Sequence, residues 1–318
     1  MKKLRIGVVG VGYLGKFHAE KYARMDNVEL VGVVDINPSQ VESVAKEVRS
    51  RAYLDYKDLI GKVDAVSIAV PTSAHFAVSR DFLKNNVDVL IEKPMTKSLE
   101  EADELIRISE AGDRIIQVGQ LERFNPGVVA SKQFVENPMF IESHRLSIYK
   151  ERCTDVSVVL DLMIHDIDII LNFVKSEIKN IHASGVPVIS GQVDIANARL
   201  EFENGCVANV TASRISTKNE RKIRFFQSDA YISLDFATHE ITLIRKTEKS
   251  RDGLIPGMEI NRLCFTRGDA LEEELKAFVE SVSRRQTPEV SGRVGRRALK
   301  IALRIMDQIH TENTRAKV

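Results

Sequence analysis

A chain of 318 residues is long enough for two domains with sizeable cores, and a formal net charge of +1 with 29% charged residues gives no long-range attraction to nucleic acid or anionic membranes. No apolar run approaches the roughly 20 residues that span a bilayer. Met1-Lys2-Lys3-Leu4-Arg5 leads straight into a strand pattern, so no signal peptide is expected and the protein reads as soluble and cytoplasmic. Three cysteines, Cys153, Cys206 and Cys264, are an odd number without close spacing and support neither a disulfide framework nor a zinc site.

Residues 4–9 form a β-rich apolar run that opens onto Gly10-Val11-Gly12-Tyr13-Leu14-Gly15, and a helical pattern follows through Phe17, His18, Tyr22 and Ala23. G-x-G-x-x-G is a weak signal alone. Placed after a strand and at the start of a helix, it is the pattern of a dinucleotide-binding turn. Gly10 makes the tight turn, Gly12 lets backbone N–H groups approach a pyrophosphate, and Gly15 lets helix and strand pack closely, with Tyr13 and Leu14 opening the helix. His18 reads as a packing or capping residue. The second strand, 28–34, ends at Asp35, placed to accept hydrogen bonds from adenosine ribose hydroxyls. Ile36-Asn37-Pro38 supply no counter-ion for a 2′-phosphate, which favours NAD over NADP.

Pro38 starts a helix that runs to about Arg49, and 55–60 is a short helix. Residues 63–70 are nearly all apolar, as in the middle of a parallel sheet, and end at Pro71-Thr72-Ser73-Ala74-His75. Loops at the carboxyl ends of such strands meet the ligand, so Thr72 and His75 are expected near a dinucleotide; His75 is equally readable as an N-terminal helix residue touching only backbone. The strand at 87–91 runs into Glu92-Lys93-Pro94, where proline cannot continue the ladder and the lysine is aimed at the ligand crevice. An amphipathic helix over 98–111 stops at Gly112, and the strand at 115–119 leads into Gln120-Leu121-Glu122-Arg123-Phe124-Asn125-Pro126. Strands and helices alternate up to this point, the pattern of a doubly wound parallel sheet, with a first domain over 1–122.

The second domain, 123–318, has a different rhythm. Residues 158–170 carry apolar side chains at helical spacing, which places Asp161, His165 and Asp168 on one face, a turn apart. A carboxylate one turn from an imidazole can fix its tautomer, as a general base requires. Around it lie runs of strand: 139–149, 178–188, 194–202, 206–214, 221–227, 230–235 and 240–246. Asn204-Gly205 reads as a hairpin turn with both residues at positive φ, and Ser228-Asp229 as another. Short turns between consecutive strands imply an antiparallel sheet, whose apolar face a second copy of the chain would cover most simply, so a homodimer or homotetramer is expected. Residues 249–257 read as a loop, and 268–284 and 295–310 as amphipathic helices free to pack back on the first domain. Arg123, Arg145, Lys150, Arg152 and Arg214 are donors suited to a diphosphate, or ordinary strand-edge charge.

Four features occur together: the N-terminal glycine fingerprint, Glu92-Lys93-Pro94 at a strand end, Arg123-Phe124-Asn125-Pro126, and Asp161…His165…Asp168 on a helix. The combination resembles the glucose-fructose oxidoreductase / inositol dehydrogenase (Gfo/Idh/MocA) family over essentially the whole chain. The resemblance implies an α/β fold, an N-terminal Rossmann doubly wound parallel sheet plus a C-terminal α+β domain with a large, mostly antiparallel sheet. It implies Lys93 and His165 as the catalytic pair with Asp161 beside them. NAD would be held by Gly10, Gly12, Tyr13, Leu14, Gly15, Asp35, Thr72, His75, Glu92 and Lys93, and the substrate by Arg123, Asn125, Arg152, Asp161 and Asp168, with no metal. Met163-Ile164 before His165, together with residues 118–126, is similar to the branch that oxidises the 3-hydroxyl of UDP-sugars; Gln120 stands where relatives often carry a ring. The competing readings are a dehydrogenase of a free sugar or inositol, an NAD-using glycosidase of the same fold, and a non-catalytic NAD-sensing regulator.

Overall fold

The structure, a computed structural model, describes residues 3–149, 156–247, 256–265 and 268–315. The chain divides into two compact units, Met1–Leu121 with Asp269–Arg297, and Glu122–Gly268 with Ala298–Val318. The first unit is built from β1 (Leu4–Val9), α1 (Tyr13–Tyr22), β2 (Val28–Val34), α2 (Pro38–Val48), β3 (Arg51–Tyr53), β4 (Ala65–Ile68), α3 (Thr72–Lys84), β5 (Asp88–Glu92), α4 (Leu99–Ala111) and β6 (Ile116–Gly119). Its six strands are ordered β3-β2-β1-β4-β5-β6, every neighbouring pair parallel. The order reverses between β1 and β4, and in a doubly wound sheet the crevice at that reversal is where a dinucleotide lies. Helix starts follow local chemistry: Asn37 caps α2 by accepting from the N–H groups of Ser39 and Gln40, and Ser98 caps α4 by accepting from Glu101.

The second unit opens with α5 (Pro126–Ser131) and β7 (Phe140–Leu146). A π turn over Val159–Met163 leads into α6 (Ile164–Phe173), where the periodicity had suggested one continuous α-helix. Then come β8 (Ile178–Val186), β9 (Ile195–Phe202), β10 (Val207–Ser213), β11 (Glu220–Phe226), β12 (Ala230–Asp235), β13 (Glu240–Lys246) and β14 (Met258–Cys264), in a sheet ordered β14-β13-β12-β11-β7-β10-β9-β8. All neighbours are antiparallel except β7 and β10, which run parallel. One face buries Ile141, Leu200, Val210, Ile223, Phe225 and Ile232 in a core shared with Ile167 and Ile170 of α6. At the β9–β10 turn only Gly205 takes positive φ (+86°); Asn204 instead accepts the Cys206 N–H through its side chain, a three-residue turn in place of the expected two-residue one.

The last two helices are α7 (Ala270–Arg284) and α8 (Gly292–Arg315). α7 belongs to the first unit, where Leu275, Phe278, Val279 and Val282 share a core with Ile6, Val8, Tyr22 and Leu90. Among the described residues no helix is long and apolar enough to cross a membrane.

Candidate active site

The glycine turn is held by close approach. Gly10 sits at φ +84°, where a Cβ would stand 2.8 Å from the Ala69 backbone, and a Cβ on Gly15 would lie 1.8 Å from the Gly10 carbonyl oxygen. Gly12 is different: a Cβ there meets no atom within 4 Å, so the backbone at the start of α1 stands open, and no acidic residue occupies its first turn. An opening of that kind at a helix N-terminus fits a pyrophosphate. Tyr13 is 70% exposed at the same helix start and packs edge-to-face on Phe17. Asp35 turns its carboxylate back to the loop, accepting the Val11 N–H at 2.9 Å and the Asn37 N–H at 3.0 Å, which leaves one lone pair on each oxygen for ribose hydroxyls. A cleft of about 890 Å³ lined by Gly10, Gly12, Val34, Asp35, Tyr56 and Pro71 lies along this edge, and Thr72, directly after Pro71, begins α3.

His75 and Glu92 are placed otherwise than expected for cofactor ligands. His75 is 1% exposed, with Nδ1 2.9 Å from the Pro94 carbonyl oxygen and Nε2 2.9 Å from that of Val70. It ties the end of β4 to the segment after Lys93, and burial holds its pKa below the ordinary histidine value against the pull of those carbonyls. Glu92 shares a strand face with Leu90, so it points into the layer beneath α1 and α7: Oε1 lies 3.2 Å from His18 Nε2, and Oε2 accepts the Lys93 N–H at 3.3 Å. Lys93 itself is half-buried, at a cis peptide to Pro94.

In the second unit the polar strip of α6 splits in two. Asp161, on the π turn, and His165 are half-buried, whereas Asp168 is 1% exposed and faces inward to Arg123, whose Nε and Nη2 donate to its two oxygens. Arg123 and Asp168, both expected at the substrate, thus neutralise each other in the core. Asn125, expected at the substrate, caps α5: its side-chain oxygen accepts the Gly127 N–H at 3.0 Å and its amide donates to Glu122. Arg145, read as a phosphate donor, is buried against Asp166 and Glu122, and Arg214 donates to the Val156 carbonyl. Lys150 and Arg152 lie outside the described residues. Asp166 and Glu122, the partners of Arg145, were missed, and so was the buried carboxyl of Glu274. The signal for Glu274 was available, since it falls on the apolar stripe of α7 with Leu271, Leu275 and Phe278.

A glycine-rich turn into a helix, an acid closing the next strand and the cleft beside them make the first unit a dinucleotide-binding Rossmann domain, the redox half of an NAD-dependent oxidoreductase. Residues 4–120 match the family model of the oxidoreductase family with an NAD-binding Rossmann fold, and residues 135–233 match the GFO/IDH/MocA C-terminal domain. The chain belongs to the Gfo/Idh/MocA oxidoreductase family, and its cofactor is NAD. The UDP-N-acetylglucosamine 3-dehydrogenase of Acidithiobacillus ferrooxidans is 37% identical over 306 residues, 96% of this chain and 97% of that protein. A solved structure of that enzyme superposes with a TM-score of 0.93 at 36% identity, covering 98% of this chain and 99% of its own. The myo-inositol 2-dehydrogenase of Thermotoga maritima is 28% identical over 93% of each chain. A scyllo-inositol dehydrogenase from Lactobacillus casei, solved with bound NAD(H) and scyllo-inositol, shares the fold at a TM-score of 0.80 and 20% identity, over 98% of each chain.

Proposed function

We propose that this enzyme oxidises the 3-hydroxyl of a UDP-sugar, UDP-N-acetylglucosamine in the first instance, with NAD⁺ as acceptor. The observation that carries the reading is the likeness to the Acidithiobacillus 3-dehydrogenase over 96% of this chain, which takes in both units. NAD, when bound, would supply the redox chemistry as the hydride acceptor. The chain's own residues handle the proton and the charge. His165 takes the hydroxyl proton, Asp161 one turn away orients the imidazole or a neighbouring sugar hydroxyl, and Lys93 stabilises the oxyanion that develops. Gly12, Tyr13 and Leu14 hold the pyrophosphate and Asp35 the adenosine ribose, while Arg152 is the remaining candidate for the substrate's charged part. The enzyme works in the cytoplasm as a homodimer or homotetramer assembled through the large sheet.

The test is NAD⁺ and NADP⁺ reduction against a panel of UDP-sugars, free sugars and inositols. Turnover with NAD⁺ and UDP-N-acetylglucosamine is expected, lost in both Lys93→Ala and His165→Ala. The second reading, an inositol dehydrogenase, is favoured by the likeness to the Thermotoga enzyme, and turnover confined to inositols would establish it in place of the first.

A further inference from the structure

Behind Lys93 the first unit buries a polar layer that the reaction as described does not use. His18 and Tyr22 come from α1, Ser67 from β4, Glu92 from β5, Gln117 from β6 and Glu274 from α7. Tyr22 and Ser67 satisfy each other at 2.8 Å, and Gln117 donates to the Glu274 backbone carbonyl at 3.0 Å. His18 and Glu274 are each fully buried, and among the described residues neither carboxyl oxygen of Glu274 has a hydrogen-bond partner. A carboxyl on the apolar stripe of α7, between Leu271 and Phe278, costs folding stability that a leucine would not. Such a cost points to a role in a site.

The geometry points to Glu274 and His18 as positioning residues for Lys93, acting through the Glu92 carboxylate; the inference rests on the catalytic reading of Lys93 above. Glu92 is confined on three sides. His18 stands 3.2 Å from one oxygen, the Lys93 N–H reaches the other, and the Gly119 backbone lies beneath, where a Cβ would come within 2.8–3.0 Å of the carboxyl. The titratable groups that feel Glu92 from the packed elements are His18 and Tyr22 of α1, His75 of α3 and Glu274 of α7. Burial first, and the nearby charge of Glu92 second, push Glu274 well above the ordinary carboxyl range. That direction favours the neutral form of Glu274. Gln117, whose amide donates to the Glu274 carbonyl, pairs with Leu90 across β5 and β6 as Gly119 does with Glu92, so a neutral Glu274 packs this layer without adding a second charge to it. Removing it, or the His18 ring, lets Glu92 turn away from the Lys93 backbone N–H and loosens the strand end that aims Lys93.

The experiment compares full-length wild type, Glu274→Gln, Glu274→Ala, His18→Phe and, as a control, Lys93→Ala. It reads kcat and KM with NAD⁺ and UDP-N-acetylglucosamine across pH, NADH binding by fluorescence, and the infrared C=O stretch of protonated carboxyls at neutral pH. Glu274→Ala and His18→Phe are expected to lower kcat about tenfold and move the acidic limb of kcat/KM by about half a pH unit or more, with NADH affinity within about twofold. Glu274→Gln, neutral and of the same shape, restores kcat and the limb while it abolishes one protonated-carboxyl band. A folded Glu274→Ala with wild-type kcat and limb overturns the inference. So does a Glu274→Gln as impaired as Glu274→Ala, or a wild-type spectrum without that band, which needs no mutant to fold. Full turnover by Lys93→Ala would instead unseat the catalytic reading, and the infrared result stands apart from it.

Discussion

Arg145 grips Asp166 with both arms of its guanidinium, Nε to one carboxylate oxygen at 2.8 Å and Nη2 to the other at 3.0 Å, and Asp166 is the residue that follows His165. The third nitrogen of Arg145 donates to Glu122 at 2.8 Å, and its guanidinium lies 5.2 Å from the centre of the Phe236 ring. Burial alone would lower the pKa of this arginine, but the charges of Asp166 and Glu122 and their hydrogen bonds hold it above the ordinary value. With Arg123 holding Asp168 two residues on, α6 is pinned twice just after the histidine, by arginines from β7 and from the turn before α5. Arg145→Ala leaves Asp166 buried and unpaired, so a loss of about 3–5 kcal/mol is expected in urea unfolding. Arg145→Lys keeps the charge without the fork, and should lower kcat several-fold while leaving NADH binding, a property of the other unit, unchanged. A wild-type unfolding midpoint for Arg145→Ala would show that the pair does not carry the helix.

The three glycines of the turn separate packing from binding. Since a Cβ on Gly12 meets nothing in the protein, Gly12→Ala should fold within about 0.5 kcal/mol of wild type yet bind NADH at least about tenfold more weakly. Gly15→Ala drives a methyl into the Gly10 carbonyl and should cost more than about 4 kcal/mol, visible as loss of soluble folded protein. NADH titration and thermal melts of the two variants decide the matter. Equal NADH affinity in Gly12→Ala and wild type would move the pyrophosphate away from this turn.

The Rossmann unit was legible because each of its rules is local. Period and length marked β1, β2 and β5, Asn37-Pro38 marked the start of α2, and Gly10 and Gly15 marked the turn. The three-residue β3 and the edge strand β14 were missed. β3 is too short to show an alternation, and β14 reads Met-Glu-Ile-Asn-Arg-Leu-Cys with no residue fully buried. The site was half legible. His165 and Asp161 could be placed on one helix, but the inward-facing Asp168 is held by Arg123, about 45 residues away in the chain, and no window along α6 contains that partner. Arginines were the hardest to read: a fork that suits phosphate suits a buried carboxylate equally well, and Arg123 and Arg145 both went to carboxylates.

Asp194 predicts how the second unit responds to acid. Its carboxylate, in the connection from β8 to β9, accepts N–H groups from Val188, Ile189 and Ser190 at 2.7–2.9 Å and the Ser190 hydroxyl at 2.6 Å. Burial on its own would raise this pKa, but the Ser190 hydroxyl and the three backbone donors outweigh it and draw the group down to about 2. A folded-state value below the ordinary aspartate value means the unfolded chain binds the proton first as pH falls. The stabilisation is therefore complete at neutral pH and is lost as pH drops from the ordinary aspartate range towards 2. Asp194→Asn, which offers an amide to donors that need an acceptor, should cost about 1–2 kcal/mol at neutral pH, since Val188 and Ile189 are more than half exposed and water repairs part of the loss. The gap between the two thermal midpoints should close as the pH is lowered through that window. A gap that stays constant from neutral pH to acid would mean the carboxylate's charge contributes nothing to holding this loop.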